Sequence, residues 1–253
     1  MAWRGGVSLL AVPARIQEGQ ENMDYVFPPS PPVAVPVAGS GALVPVRRIY
    51  CVGRNYAEHA KEMGFTGRED PFFFSKPNDA ILSIADGETG ATPYPPKTSN
   101  LHYEMELVVV LGKGGKDIPV DQAGECVWGY ALGLDMTRRD LQGEAKKQGR
   151  PWEVGKAYDL SAPIGPVHPR SVVGTLEKGA IWLDVNGERK QSSDISQMIW
   201  NIPESIAYLS SLFELKAGDL IFTGTPEGVG AVVQGDELVG GVEGLGELRV
   251  RIA

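Results

Sequence analysis

Leu101-His-Tyr-Glu-Met-Glu-Leu-Val-Val-Val-Leu111 reads as a strand buried on at least one side, because six of its last seven residues are Met, Leu or Val. Yet Glu104 and Glu106 stand in it two residues apart. Residues i and i+2 of a strand point to one face, with Cβ atoms roughly 6.5–7 Å apart. Two like charges at the mouth of an apolar strand repel and are costly to desolvate. A divalent cation removes both costs, whereas a solvent-facing edge strand would carry the two glutamates harmlessly.

A second stretch favours the cation. Val127-Trp-Gly-Tyr-Ala-Leu-Gly-Leu-Asp-Met136 is again an apolar strand pattern, ending on Asp135, with Arg138, Arg139 and Asp140 directly after. Three carboxylates without a thiolate describe an oxygen-rich site for a hard ion, Mg²⁺ or Mn²⁺. Zinc would recruit Cys or more His.

The 253 residues suffice for one large domain, or a domain with an extension, and for a sizeable core. With 42% hydrophobic and 22% charged residues the composition is that of an ordinary soluble globular protein. A net charge of −8 argues against a nucleic-acid role, which would need a basic stripe. No apolar run reaches the roughly 18 residues of a membrane span. Cys51 and Cys126 lie in apolar strand-like contexts and read as reduced core residues, in keeping with a cytoplasmic protein.

Residues 1–46 form an N-terminal extension and an extended arm, and residues 47–253 the catalytic domain. Met23 opens a segment unlike the one before it, so either Met1 or Met23 serves as the start. Segment 27–46 is rich in Pro and Val, which favours extended chain over helix. Beyond it, short strands are expected at 48–52, 71–77, 181–185 and 220–223, a helix at 56–63, a long loop at 84–100 and helical segments at 137–148, 195–200 and 203–212. Residues 151–158 read as irregular, and 236–252 as two closing strands. Asn186-Gly187 between two strand-like runs is a strong hairpin signal. Many short strands, few helices and 32 glycines indicate a β-dominated α+β fold and not alternating βαβ units.

His59 and Glu62 stand three apart in the expected helix and share a face. A carboxylate beside an imidazole fixes its tautomer and raises its basicity, which suits removal of a proton from water. A surface histidine with a helical neighbour is the plainer alternative. His102 shares strand parity with the two glutamates and reads as a packed, hydrogen-bonded histidine. Lys156, in Trp152-Glu-Val-Gly-Lys-Ala-Tyr158, has a small-and-aromatic setting in which an ammonium could stabilise an enolate. A solvated loop lysine is equally compatible. Arg139 and Gln142 offer donors on one helical face, or form an unremarkable polar face. Thr223-Gly-Thr-Pro-Glu-Gly-Val-Gly230 lacks the Gly-Lys-Ser/Thr ending of a phosphate loop, but its amides could receive an anionic group.

Taken together, Cys51-Val-Gly-Arg-Asn-Tyr-Ala-Glu-His59, Phe74-Ser-Lys-Pro77, His102-Tyr-Glu-Met-Glu106, Gly133-Leu-Asp-Met-Thr137, Trp152 through Lys156 and Thr223-Gly-Thr-Pro226 resemble the fumarylacetoacetate hydrolase superfamily, over residues 47–252. Within it the chain is similar to the small acylpyruvase branch, and the segment Asp24–Arg48 resembles bacterial enzymes of gentisate degradation. The resemblance implies a mixed β-sandwich roll, usually a homodimer, with Mg²⁺ or Mn²⁺ held by Glu104, Glu106 and Asp135. It implies a lid carrying His59 and Glu62, and a pocket in which Arg139, Gln142, Lys156 and Thr225 hold a pyruvoyl end, with Lys76 as a further contact.

The activity implied is hydrolysis of a carbon–carbon bond in an acylpyruvate, with His59 as base, Glu62 as its orienter and Lys156 on the enolate. Decarboxylation of oxaloacetate and isomerisation of a dienoic keto acid are the alternatives within the family. A non-catalytic homologue would not need this set of carboxylates with His59.

Overall fold

The computed structural model describes residues 25–62 and 68–253, the side chains of 60–62 excepted. Packing separates Met1–Pro31 from a single unit, Pro32–Ala253. The valine-rich part of the arm belongs to that unit, on the extension's side of the boundary expected at 46. Ala34–Pro36 and Leu43–Pro45 pair antiparallel, and Val35, Val37, Val44 and Val46 are buried. Both strands end on proline, where no ladder donor is lost.

The unit is a β-dominated α+β fold built on two large mixed sheets. One runs in the order Phe73–Lys76, Ile49–Val52, Leu220–Phe222, Met105–Leu111, Val127–Leu134, Ala162–Ile164 and Ile81–Ser83, with His168–Pro169 alongside Val127–Leu134. The other orders Glu188–Asp194, Ala180–Val185, Glu237–Val242, Glu247–Ile252 and Thr89–Thr92. The hairpin forms as expected at Asn186 (φ 51°) and Gly187 (φ 79°), both in the left-handed region that a two-residue primed turn requires.

Met105–Leu111 is buried along its whole length because it lies between two cores. Leu107, Val109 and Leu111 pack in the larger core with Ile181, Leu183 and Val250 of the second sheet. Val108 and Val110, on the other face, meet Ile49, Cys51, Phe222 and Val35. Each such fully buried aliphatic side chain is worth about 1.5–3 kcal/mol, so this strand holds the layers together. Both cysteines are free and buried. Among the described residues no helix is long and apolar enough to cross a membrane.

Several segments differ from expectation. The loop expected at 84–100 contains the strand Thr89–Thr92, which pairs parallel with Glu247–Ile252. Its sequence, Thr-Gly-Ala-Thr, carries no apolar alternation, and pairing with a distant strand supplies what local propensity does not. Residues 153–156 close one helical turn, and the first helix expected near 195 is only a 3₁₀ turn, Ile195–Gln197. The next helix, Ile202–Leu212, starts at a capping box in which Asn201 and Glu204 satisfy each other's amides.

Candidate active site

The chain changes sheet at Glu104. Leu101–Tyr103 pairs with Thr137–Arg138 and Gly230–Val232 in a small three-stranded sheet, whereas Met105–Leu111 lies in the large one. The single strand expected over 101–111 is therefore two. Val127–Leu134 makes the same change at Asp135. Register is continuous across the break, with Met105 opposite Leu134 and His102 opposite Thr137. Glu104 is thereby set opposite Asp135, whose amide donates to the Glu104 carbonyl at 2.9 Å. Cross-strand partners share a face, and Glu106 joins them two residues on. Gly133 stands opposite Glu106, where a Cβ would come within 2.7 Å of Phe222 and Val108.

One oxygen from each of Glu104, Glu106 and Asp135 lies within 4.8 Å of the others. All three carboxylates are buried, Glu106 and Asp135 to 1% exposure. The Lys156 ammonium bridges two of them, 2.7 Å from Glu104 Oε2 and 2.6 Å from Asp135 Oδ2. Arg139 holds the other Glu104 oxygen and donates to Gln142 Oε1 at 2.7 Å. Burial would raise the Glu104 carboxyl, but Lys156 and Arg139 outweigh it and hold the group well below the usual carboxylate range. Lys156 is kept charged by the same pairs, against the effect of burial.

Glu106 is driven the opposite way, by burial first and then by Asp135 and Glu104, so its carboxyl sits well above the usual range. Its Oε2 accepts from the Gly224 amide at 2.7 Å. The Thr223–Gly230 turn thus receives a carboxyl oxygen at one of its amides, and that group is Glu106 itself. Asp135 Oδ1 lies 2.8 Å from the Lys76 ammonium yet has no hydrogen bond. The ammonium is instead engaged by the carbonyls of Lys156, Ser161 and Met136 and by the Ser161 hydroxyl. A buried carboxylate oxygen with unused lone pairs, in an all-oxygen set, fits a hard divalent cation.

His59, Glu104, Glu106, Arg139, Gln142, Lys156 and Thr225 line one cavity. With about 10 Å³ of free volume it has room for roughly one water. His59 stands on the helix Ala57–Glu62; the Glu62 side chain lies outside the described residues. Lys76 is not in the cavity wall. It sits beneath Asp135, 2% exposed, with its side chain fully buried.

Of the residues that hold the site, Gln191 carries no signal in the sequence, whereas Asn55 and Gly224 stand in the motifs that carry the resemblance. Gln191, fully buried in the otherwise polar strand Glu188–Asp194, accepts from the Met105 amide at 3.0 Å. Its amide donates to Thr225 Oγ1 at 2.8 Å and to the Pro226 carbonyl at 2.9 Å. Asn55 joins Thr223 to Trp200: it donates to both carbonyls, at 2.8 and 2.9 Å, and accepts from the Trp200 amide at 2.7 Å. Gly224, at φ 96°, passes so close that a Cβ would lie 2.8 Å from that of Asn55. His102 accepts from Arg139 at Nδ1 (3.3 Å) and donates from Nε2 to Asn100 (2.8 Å), the neutral tautomer that its network assigns. Burial and the Arg139 charge lower it to about 4.

Residues 48–253 match the family model described as "Fumarylacetoacetate (FAA) hydrolase C-terminal". A fumarylpyruvate hydrolase of a Ralstonia species is 50% identical over 185 residues, 73% of this chain and 93% of that protein. The mitochondrial oxaloacetate decarboxylase of Dictyostelium discoideum is 44% identical over 199 residues, 79% of this chain and 90% of that one. The crystal structure of fumarylpyruvate hydrolase from Pseudomonas aeruginosa in complex with Mn²⁺ and pyruvate superposes with a TM-score of 0.90 at 58% identity, covering 91% of this chain and 99% of that one. By its match over most of its length, the chain belongs to the fumarylacetoacetate hydrolase family.

Proposed function

We propose that this protein is a divalent-cation-dependent hydrolase that cleaves the carbon–carbon bond of an acylpyruvate, with fumarylpyruvate as substrate and fumarate and pyruvate as products. The observation that carries this reading is the cluster of three buried carboxylates, two of which, Glu104 and Glu106, line one cavity with Lys156 and His59. Glu104, Glu106 and Asp135 would hold Mg²⁺ or Mn²⁺, which supplies Lewis-acid polarisation of the keto acid's oxygens and fixes its orientation. The resemblance to fumarylpyruvate hydrolases supports the acyl group. A homodimer rests on the same resemblance, and a cytoplasmic setting on the two free thiols.

His59 takes a proton from water, and the oxygen attacks the distal acyl carbonyl. Glu62, three residues on, orients the imidazole. Collapse of the adduct breaks the bond between the acyl carbon and the pyruvoyl methylene. The leaving carbanion is delocalised onto the 2-oxo oxygen as enolate, where Lys156 and Arg139 offer their protons. The proton held by His59 returns to the methylene carbon, giving the pyruvate methyl group. A seven-carbon keto acid cannot enter a cavity with room for one water, so the helix Ala57–Glu62 acts as a lid that opens for substrate.

Oxaloacetate decarboxylation is the second reading, favoured by the Dictyostelium relative. It needs enolate stabilisation but no water-activating base, so one variant separates the two. His59→Ala should cost fumarylpyruvate turnover roughly two to four decades, the usual worth of positioned base catalysis, and oxaloacetate turnover much less. Equal losses on both substrates would remove His59 as the water base.

A further inference from the structure

The helix Arg139–Lys147 presents Arg139, Gln142 and Lys146 at spacings of three and four, hence on one face. All three line the cavity over the carboxylates. The other cations of the site are paired with acids: Arg139 with Glu104, Lys156 with Glu104 and Asp135, and Lys76 with Asp135. Arg54, also in the cavity wall, pairs with Glu69.

Lys146 differs. Among the described residues it makes no ion pair, and its ammonium rests on the Trp152 ring, 4.7 Å from the centroid. Its side chain is exposed, yet partial desolvation at the cavity wall and the nearby Arg139, Lys156 and Arg54 charges hold its own charge less firmly than that of an ordinary lysine. An ammonium placed among cations at a cavity wall, supported only by an aromatic face, is a site for an anion supplied from outside.

Seven residues of helix separate Arg139 from Lys146, a rise of about 10 Å. A seven-carbon dicarboxylate has six carbon–carbon bonds of roughly 1.5 Å and spans about 7–8 Å when extended. With its pyruvoyl end at Arg139 and Lys156, its far carboxylate reaches the end of this row. We propose that Lys146 binds the distal carboxylate of the acyl group and selects acylpyruvates that are dicarboxylates over those, such as acetylpyruvate, that end in a methyl group. This deepens the hydrolase reading above and rests on it.

The test compares wild type, Lys146→Met and Lys146→Arg on fumarylpyruvate and acetylpyruvate. Methionine keeps the packing on Trp152 and removes the charge. In Lys146→Met the KM for fumarylpyruvate should rise about 10–100-fold, the scale of one charge-assisted hydrogen bond. Acetylpyruvate kinetics should stay within about twofold, and Lys146→Arg should restore most of the fumarylpyruvate KM. Binding of fumarate to the Mn²⁺-loaded protein, followed by calorimetry, should weaken in Lys146→Met by a similar factor, while oxalate binding is unchanged. An unchanged fumarylpyruvate KM, or equal rises for both substrates, would overturn the assignment. If the wild type hydrolyses neither substrate, the hydrolase reading fails. The fumarate and oxalate titrations then still decide whether Lys146 is an anion site.

Discussion

Gln191→Leu tests whether the second sheet holds the metal centre in shape. Gln191 is fully buried and reaches from Glu188–Asp194 to the two chain segments that carry Glu106 and Thr225. Leucine has similar volume but cannot accept from the Met105 amide or donate to the Pro226 carbonyl. Thr225 Oγ1 keeps its own bond to the Met105 carbonyl at 2.8 Å, so that contact survives. A buried donor left unsatisfied costs about 1–3 kcal/mol, the acceptor less, and added apolar burial returns about 1 kcal/mol. The net loss is therefore about 1–4 kcal/mol, or roughly 2–15 °C in Tm for a domain of this size.

The same change should loosen the turn whose Gly224 amide holds Glu106 at 2.7 Å. Groups that orient metal ligands are worth about 10–100-fold in affinity, so Mn²⁺ binding should weaken by that factor. Thermal unfolding with and without Mn²⁺, and calorimetric titration of the ion, measure both effects. Gln191→Glu adds a check of sign. Only the protonated carboxyl can donate to Pro226, so burial and bonding raise its pKa in the folded state above the unfolded value. The folded state then binds more protons than the unfolded, and stability must fall as pH rises through that range. A Gln191→Leu protein within about 0.5 kcal/mol of wild type, with Mn²⁺ affinity within twofold, would refute the bracing role.

Asp135→Ala should abolish turnover in a protein that still folds, and chelation should silence the wild type until Mg²⁺ or Mn²⁺ is returned; full activity after exhaustive chelation would remove the cation from the proposal. Lys76→Met strips the ammonium from beneath Asp135 and leaves the carbonyls of Ser161 and Met136 without that donor. Breaking a buried pair by removing one partner costs about 3–5 kcal/mol, so a Tm within a few degrees of wild type would contradict its place under the site.

What could be read from the sequence was whatever depends on near neighbours. The i, i+2 pair Glu104 and Glu106, the Asn186-Gly187 turn and the apolar run through Leu111 each carry their geometry within a few residues. Asp135 was legible as an acid at a strand end, but its position opposite Glu104 depends on a register set by the whole length of Met105–Leu111 against Val127–Leu134. Gln191 was illegible for the same reason in stronger form, since its partner Met105 is 86 residues away. Its neighbours Lys190 and Ser192 are as polar and are exposed. Lys76 was legible as charged and near the site, but whether a lysine points into a cavity or beneath it is decided by packing alone. The strand break at Glu104 has no local signal either, because the residues on both sides favour extended chain.

That break also explains why the site lies where it does. Two paired strands that leave one sheet together and enter another expose their junction residues to neither core, and the junction residues here are Glu104 and Asp135. Three cations, Lys76, Arg139 and Lys156, meet these two acids, so the pair is balanced by the chain itself. Glu106 stands outside that balance. Its hydrogen-bond partner is an uncharged amide, and the nearby acids push its carboxyl toward the neutral form. Holding Glu106 as a carboxylate calls for more positive charge than Lys156 supplies against burial, Asp135 and Glu104, and a bound dication would add it. On the proposed reading, Glu104 and Asp135 would serve the fold and the ion together, whereas Glu106 would serve the ion.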